Sequence, residues 1–240
     1  MRVNLQPAYV IHRRPYRDSS ALLDVFTAEY GRISLVARGV RRQSRRGSSA
    51  ALLQPFTPLL VSFSGRLELK TLVATEPVQG MAALVGDRLF SGMYMNELLV
   101  RLLHRNDAHP TLFASYTAAL KALGSGTAVD TVLRRFELAL LEELGYRLEL
   151  EVDSVSGQPI QESQRYCYDP GNGLVACGEV TDSPDTAFSG TELLAMASGE
   201  FGGPVRLTAR QLLREALAVH LGGEPLRSRE LFLAPGRRDE

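Results

Sequence analysis

Hydrophobic and polar residues alternate in short runs through the first 80 residues of the chain. In residues 32–38, Ile33 and Leu35 fall on one face of an extended strand, and Arg32 and Arg38 fall on the other. Glycine and proline separate the runs, which is typical of strands joined by turns. The pattern predicts five strands, over residues 8–13, 21–27, 33–38, 52–63 and 66–74. Five short strands fit a small barrel of the OB type, and an SH3-like barrel would give almost the same pattern.

Beyond residue 80 the hydrophobic positions recur with a period of about 3.6, which indicates helices. The clearest helix covers residues 130–144, where Val132, Phe136 and Leu140 share one stripe and Gly145 ends the pattern. The same spacing predicts further helices over residues 87–105, 110–123, 190–197, 207–221 and 228–233.

Residues 152–186 interrupt the helical pattern. They are rich in Gly, Pro, Ser and Asp, and two short strand-like runs flank the turn at residues 169–173, which predicts an inserted β-hairpin. The predicted fold class is therefore α+β. A five-stranded OB-fold β-barrel over residues 1–80 is expected to bind nucleic acid, and an α-helical domain with the hairpin insertion is expected over residues 81–240.

Composition places the chain among soluble globular proteins. Its 240 residues include 45% hydrophobic and 22% charged residues, and no apolar run reaches the roughly 18 residues of a membrane span. The N-terminus lacks the apolar segment of a signal peptide, so we expect a cytoplasmic protein without a membrane partner. In a reducing compartment the two cysteines, Cys167 and Cys177, are expected to be free, buried thiols.

The net charge of zero conceals an asymmetry along the chain. Residues 1–80 contain 12 Lys and Arg against 5 Asp and Glu, a balance of +7, and residues 81–240 contain 15 against 22, a balance of −7. Such a division indicates a basic module that meets a polyanion, joined to an acidic module with another task. The alternative is an accident of solvated surface charge.

The basic module has a cationic segment between two predicted strands. Residues 38–46 hold five arginines, and arginine forks match phosphate oxygens and stack on bases. We therefore predict nucleic-acid binding by this segment and by nearby strand arginines, although an ordinary solvated loop would look the same. The predicted DNA-binding residues are Arg13, Arg14, Arg32, Arg38, Arg41, Arg42, Arg45 and Arg46. Arg17 is also nearby, and most of the barrel's aromatic residues, Tyr9, Tyr16, Phe26, Phe56 and Phe63, are expected in its core.

Motifs of catalysis and of cofactor or metal binding are missing. The four histidines are far apart, no HExxH, GxSxG or GxxxxGK[ST] segment occurs, and two cysteines are too few for a structural zinc site. We expect neither an enzyme nor a bound cofactor. Arg134 and Arg135, on the polar side of helix 130–144, fit either surface ion pairs or a cationic rim for an acidic, hydrophobic peptide.

Six stretches, taken together and in this order, resemble the bacterial DNA repair and recombination protein family RecO. They are LLDVFT at 22–27, GRISLVARG at 31–39, LQPFTPLL at 53–60, NELL at 96–99, RRFELALL at 134–141 with LGY at 144–146, and LRSRELF at 226–232. The resemblance implies an OB-fold followed by a helical domain and a non-enzymatic role. It also implies binding to single- and double-stranded DNA, annealing of complementary strands, and loading of RecA, together with RecR, onto DNA coated by the single-strand-binding protein SSB.

The resemblance further implies that the helical domain binds the acidic C-terminal tail of SSB, with Arg134 at the family's tail-binding arginine and Arg135 beside it. Many members carry two CxxC zinc pairs, which here fall on Asp153 and Ser156 and on Cys177 and Val180, so only Cys177 is retained and no zinc is expected. An OB-fold RNA-binding or translation-associated adaptor is the alternative function.

Overall fold

Five strands close into a barrel at the N-terminus. The computed structural model describes residues 1–40, 49–80, 82–177 and 187–233. The barrel strands are β1 (Arg2–Tyr16), β2 (Ser20–Thr27), β3 (Gly31–Ala37), β4 (Leu59–Ser64) and β5 (Leu69–Pro77), with the short helix α1 (Ser49–Leu52) before β4. Their order around the barrel is β1-β2-β3-β5-β4, with β3 and β5 parallel and the other pairs antiparallel. This arrangement is the predicted OB-fold.

The long strand β1 makes closure possible. Its N-terminal half pairs with β4 and its C-terminal half with β2, and irregularities in the register between Val3 and Gln6 and between Val10 and His12 let it bend from one neighbour to the other. The inward residues of the five strands form an apolar core. Its members include Val10, Leu23, Val25, Ile33, Leu35, Val61 and Phe63.

Helices α2 (Gly86–Leu102) and α3 (Pro110–Gly124) follow the barrel. On the outside of the barrel Tyr9 and Phe26 meet two aromatic residues of α3, Phe113 and Tyr116, with ring centroids 5.2–6.0 Å apart. The buried Tyr116 hydroxyl donates to Asn96 Oδ1 at 2.5 Å, which satisfies its polar atom. The aromatic pairs therefore attach α3 to strands β1 and β2.

The last described helix, α7 (Arg227–Leu233), packs against α2. The Glu97 carboxylate accepts hydrogen bonds from the backbone N–H groups of Arg227 and Ser228, at 2.9 and 2.8 Å, and from the Ser228 hydroxyl at 2.6 Å. Burial acts to raise the pKa of Glu97, but the hydrogen bonds from Ser228 and Arg227 outweigh it and hold that pKa below its usual value. Residues Met1–Gly126, which contain the barrel, α2 and α3, form one compact unit together with the segment that begins at Leu226.

Residues Thr127–Pro225 form the second compact unit. Its elements are α4 (Val129–Glu143), β6 (Arg165–Asp169), β7 (Gly173–Ala176), β8 (Ala187–Ser189), α5 (Gly190–Ala197) and α6 (Val205–His220). The predicted hairpin is present as β6 and β7, and β8 pairs with the other edge of β6 to make a three-stranded sheet. The predicted division at residue 80 follows the change from strands to helices, whereas the compact units follow packing and place α2 and α3 with the barrel.

Candidate nucleic-acid interface

A groove of about 590 Å³ lies on the outer surface of the barrel. Three segments form it: the turn between β1 and β2, the end of β3, and the beginning of β5. Its lining residues are Tyr16, Arg17, Ser19, Ser20, Val36, Arg38, Gly39, Leu69, Lys70 and Thr71. The β1–β2 pairing sets Tyr16 opposite Ser20, and the β3–β5 pairing sets Val36 opposite Thr71, so the groove runs across the strands.

The groove is cationic. Arg38 is exposed, the Arg17 guanidinium carbon is 5.2 Å from the centroid of the Tyr16 ring, and Lys70 lies at 7% exposure. Burial lowers the pKa of Lys70, and its ammonium donates to Asn106 Oδ1 at 2.6 Å. No carboxylate is among the described residues that line the groove. These cations, beside an aromatic ring and two serine hydroxyls, suit the phosphates and bases of a nucleic acid, although Glu68 acts electrostatically on Lys70.

The structure separates the two adjacent arginines of β1. Arg14 is exposed and lies two residues from Tyr16, so it shares the outer face of the groove. Arg13 points to the opposite face and lines a different, largely apolar cavity together with Ile11, Phe56 and Met93. Arg13 and Arg14 are both predicted to bind DNA, but consecutive strand residues face opposite sides, and only Arg14 lies on the face of the groove.

Arg32 does not face solvent. Its guanidinium donates to the backbone carbonyl oxygens of Val100 and Leu103, the latter at 3.3 Å, and lies 3.6 Å from the Asp24 carboxylate. Burial lowers the pKa of Arg32, although Asp24 acts to raise it. The outer strand face around Arg32 is covered by the end of α2, so Arg32 holds α2 to the barrel instead of presenting its charge to DNA.

Arg41, Arg42, Arg45 and Arg46 lie outside the described residues, and their role stays a prediction. Arg17 and Lys70 line the groove but are not among the predicted DNA-binding residues. The signal for Arg17 is its place in the turn that joins β1 and β2. For Lys70, the sequence feature that could have indicated a surface role is the alternation in residues 66–70, which places it on the same side as Glu68. That alternation does not reveal the contact of Lys70 with Asn106.

Comparison with known proteins assigns the family. The family model for the N-terminal part of recombination protein O matches residues 1–81, and the model for its C-terminal part matches residues 84–230. The chain belongs to the RecO family. The sequence is 46% identical over 229 residues to the DNA repair protein RecO of Stutzerimonas stutzeri. The aligned region covers 95% of this chain and 93% of that relative.

Two further RecO relatives match to a similar extent. The DNA repair protein RecO of Nitrosospira multiformis is 43% identical over 96% of this chain and 95% of its own length. The protein of the same name from Halorhodospira halophila is 47% identical over 95% of each chain. Within the part of the chain that the structure describes, no helix is long and apolar enough to cross a membrane.

The two arginines predicted to bind the SSB tail in the RecO family differ in their surroundings. Arg134 is only 7% exposed, and its Nη2 atom lies 2.9 Å from Oε1 of Glu137, itself 1% exposed. Arg134 is therefore part of a buried ion pair. The helical pattern predicts instead that it lies on the exposed polar side of α4. Arg135 is exposed, and its guanidinium donates to the Gly199 carbonyl oxygen at 3.4 Å.

The expectation of free thiols is wrong for this structure, in which Cys167 and Cys177 form a disulfide with a Cα–Cα distance of 5.4 Å. Cys167 lies opposite Val175 in the pairing of β6 and β7, and Cys177 follows two residues later on the same face. Such diagonal neighbours on adjacent strands are close enough to be bridged. The sequence spacing indicates a hairpin but not the register that brings the two sulfur atoms together.

At the zinc-pair positions of the RecO family, an aspartate carboxylate takes part in hydrogen bonds. Asp153 Oδ1 accepts the N–H groups of Val155 and Ser156, at 2.9 and 2.8 Å, and Oδ2 accepts the N–H of Ala176 in β7 at 2.7 Å. Asp153 thus connects its own turn to the hairpin. Among the described residues no group of three or more potential ligands could hold a metal, and Val180 lies outside them. That the purified protein contains no stoichiometric zinc stays a prediction for elemental analysis.

We expect Asp153→Asn to lower the free energy of unfolding by about 1–3 kcal/mol at pH 7, because the amide NH₂ cannot accept the N–H of Ala176. The backbone hydrogen bond from Ser156 is the largest cause that lowers the pKa of Asp153. Since the folded pKa is depressed, the carboxylate stabilises the fold above its unfolded pKa of about 4, and this stabilisation is lost as pH falls through the folded pKa.

Urea denaturation at pH 7 and at stepwise lower pH measures this effect. The difference between the wild-type protein and Asp153→Asn should shrink below about pH 4. Asp169→Asn is the matched control, because Asp169 caps only the exposed turn at Gly171 and Asn172. Equal losses for the two variants at pH 7 would contradict the connecting role of Asp153.

Proposed function

We propose that this protein is a DNA-binding recombination mediator of DNA repair. It binds single- and double-stranded DNA, anneals complementary strands and, with RecR, helps to load RecA onto single-stranded DNA coated by SSB. The observation that carries the proposal is the cationic groove across an OB-fold barrel, and the name "DNA repair protein" of the relatives supports it. RecR, RecA and SSB enter through the family resemblance.

DNA would cross the barrel at the groove. Phosphates lie against Arg14, Arg17 and Arg38, and the half-buried Tyr16 ring offers one base a stacking surface. Arg41, Arg42, Arg45 and Arg46 follow Arg38 in sequence, and their contribution to DNA binding stays a prediction. Because these contacts reach phosphates and one aromatic face, binding is independent of base sequence and serves both single and double strands.

Binding and not catalysis is the proposed activity, and it needs no cofactor. Annealing requires that two like-charged strands approach, and arginine side chains that neutralise phosphates lower this repulsion. No bond is made or broken in that process. We place the protein in the cytoplasm, where bacterial DNA is repaired.

The SSB tail would bind to the second unit at α4. The exposed Arg135 guanidinium is the group that meets a tail carboxylate, whereas Arg134 keeps the helix in place through its ion pair with Glu137. Capture of an acidic tail by this locally cationic position is compatible with the charge of the second unit, Thr127–Pro225, whose 7 Lys and Arg against 16 Asp and Glu disfavour DNA there.

Annealing of complementary oligonucleotides coated with SSB tests the proposed function. The protein should accelerate annealing with full-length SSB, and much less with SSB that lacks its C-terminal tail. Naked oligonucleotides serve as the control, because the protein should accelerate their annealing without any SSB. Failure to accelerate annealing of naked or coated strands would overturn the proposal.

Arg135→Ala should weaken binding of a labelled SSB tail peptide by about 10-fold to 150-fold, the range for a charge-assisted hydrogen bond. Fluorescence anisotropy of the labelled peptide measures the loss. The exposed Arg206→Ala variant, also in the second unit, is the matched control and should retain the wild-type affinity. An unchanged affinity for Arg135→Ala would place the tail elsewhere.

Arg134→Ala is a poor test of tail binding, although sequence reasoning assigns it the same role. Removing this guanidinium takes away the cation that faces the buried Glu137 carboxylate. Breaking a buried ion pair costs about 3–5 kcal/mol of stability. We therefore expect Arg134→Ala to lower the thermal midpoint clearly, whereas Arg135→Ala should leave it nearly unchanged.

A further inference from the structure

The cysteine pair closes a loop inside the hairpin of the second unit. Cys167 lies in β6, and Cys177 follows β7 with its N–H donated to the Arg165 carbonyl oxygen at 3.0 Å. The backbone ladder therefore continues past the end of β7 and holds both residues in register. Both cysteine residues are partly exposed.

We propose that Cys167 and Cys177 are a reversible thiol–disulfide site, whose co-reactants are small thiols and disulfides of the glutathione class. In the oxidising direction, one cysteine thiolate attacks a sulfur of glutathione disulfide, which forms a mixed disulfide and releases one glutathione thiolate. The second cysteine thiolate then attacks the protein sulfur of the mixed disulfide and releases the second glutathione. Two electrons pass from the two cysteines to glutathione disulfide, and the two protons go to the released thiolates.

The hairpin does not depend on the disulfide for its geometry. Backbone pairs join β6 and β7 at four positions, and the Asp153 carboxylate independently binds the N–H of Ala176, next to Cys177. Tyr166, at 1% exposure, anchors β6 in the core of the second unit. After reduction these contacts keep the two thiols adjacent, so the second step of oxidation is intramolecular and fast relative to capture of a second glutathione.

Oxidation should stabilise the fold without changing it. The disulfide joins residues ten positions apart, and such a cross-link removes conformations mainly from the unfolded chain. Cys167 also pairs with Ala187 of β8, so the cross-linked strand is the central strand of the sheet. We expect the thermal midpoint of the oxidised protein to exceed that of the reduced protein by about 5–15 °C.

The test equilibrates the full-length protein in buffers with different ratios of glutathione to glutathione disulfide. Samples are quenched in acid, the remaining thiols are alkylated, and intact masses are measured. The expected result is one transition between a species with two alkyl groups and a species with none, and little glutathione attached to the protein at any ratio. Two alkyl groups at every ratio, or attachment of two glutathiones per chain, would overturn the proposal.

Cys167→Ser and Cys177→Ser are the matched variants. Each should retain one glutathione per chain under oxidising conditions, because the resolving thiol is missing, and each should melt at the same temperature with and without reductant. The wild-type protein alone decides the outcome if a variant fails to fold, since its melting temperature is compared before and after reduction. A wild-type midpoint that does not change on reduction would contradict the stabilising role of the disulfide.

Discussion

Gly31→Ala is expected to destabilise the protein by more than about 3 kcal/mol. Gly31 begins β3 with φ of +59°, and a Cβ atom there would lie 1.5 Å from the Asp107 carbonyl oxygen. The segment after α2 would have to move away from the barrel. It would then lose the hydrogen bonds from Asn106 N–H to the Arg32 carbonyl oxygen and from Lys70 to Asn106.

Urea denaturation followed by circular dichroism measures the loss, and Gly39→Ala separates its two causes. Gly39 also has a positive φ, of +69°, but an added Cβ would meet no atom of the described residues within 4 Å. The control should therefore lose only the conformational part, about 1–2 kcal/mol. Equal losses for the two variants would show that the contact with Asp107 does not contribute.

Replacing Arg14, Arg17 and Arg38 together by glutamate should weaken binding of a single-stranded oligonucleotide at least about 100-fold near physiological salt. Arg17 and Arg38 line the groove on the barrel, Arg14 lies on the same face of β1, and the substitution replaces attraction to phosphates by repulsion. The loss should be the same for all base sequences. The slope of log Kd against the log of the salt concentration should also decrease by about 2, because three phosphate contacts on a single strand are lost.

The matched control carries the same change of net charge on the second unit. Arg147, Arg206 and Arg210 are exposed there, and their joint replacement by glutamate adds the same negative charge away from the groove. If DNA affinity depended only on net charge, the two triple variants would bind equally weakly. We expect the control to retain most of the wild-type affinity and salt dependence.

Hydrophobic periodicity predicts the barrel well because it is a local signal. Strands β1 to β5 and helix α4 bury the residues that their patterns indicate, such as Ile33, Leu35 and Phe136. The long strand β1 was predicted as a shorter segment, because its pairing with both β2 and β4 depends on irregularities in register that no pattern in the sequence marks. The pattern does not predict the third strand of the small sheet, β8, because three residues are too few to show an alternation.

The candidate site depends on what covers each face, which periodicity does not reveal. Arg32 in β3 and Arg38 just beyond its end fall on the same side of the alternating pattern, yet the end of α2 covers Arg32 and leaves Arg38 exposed. Arg134 likewise follows the polar pattern of α4 but is buried with Glu137. For Arg32 the deciding contact is with Val100, 68 positions away, which no local pattern reveals.

The central claim is that DNA binds to the barrel while the SSB tail binds to the second unit. The most direct test is fluorescence anisotropy of a labelled oligonucleotide and of a labelled tail peptide, both titrated with the Arg14, Arg17 and Arg38 glutamate variant. We predict a loss of at least about 100-fold for the oligonucleotide and a peptide affinity within about twofold of wild type, with an unchanged circular dichroism melt. Wild-type affinity for the oligonucleotide, or equal losses for both ligands in a folded variant, would contradict the claim.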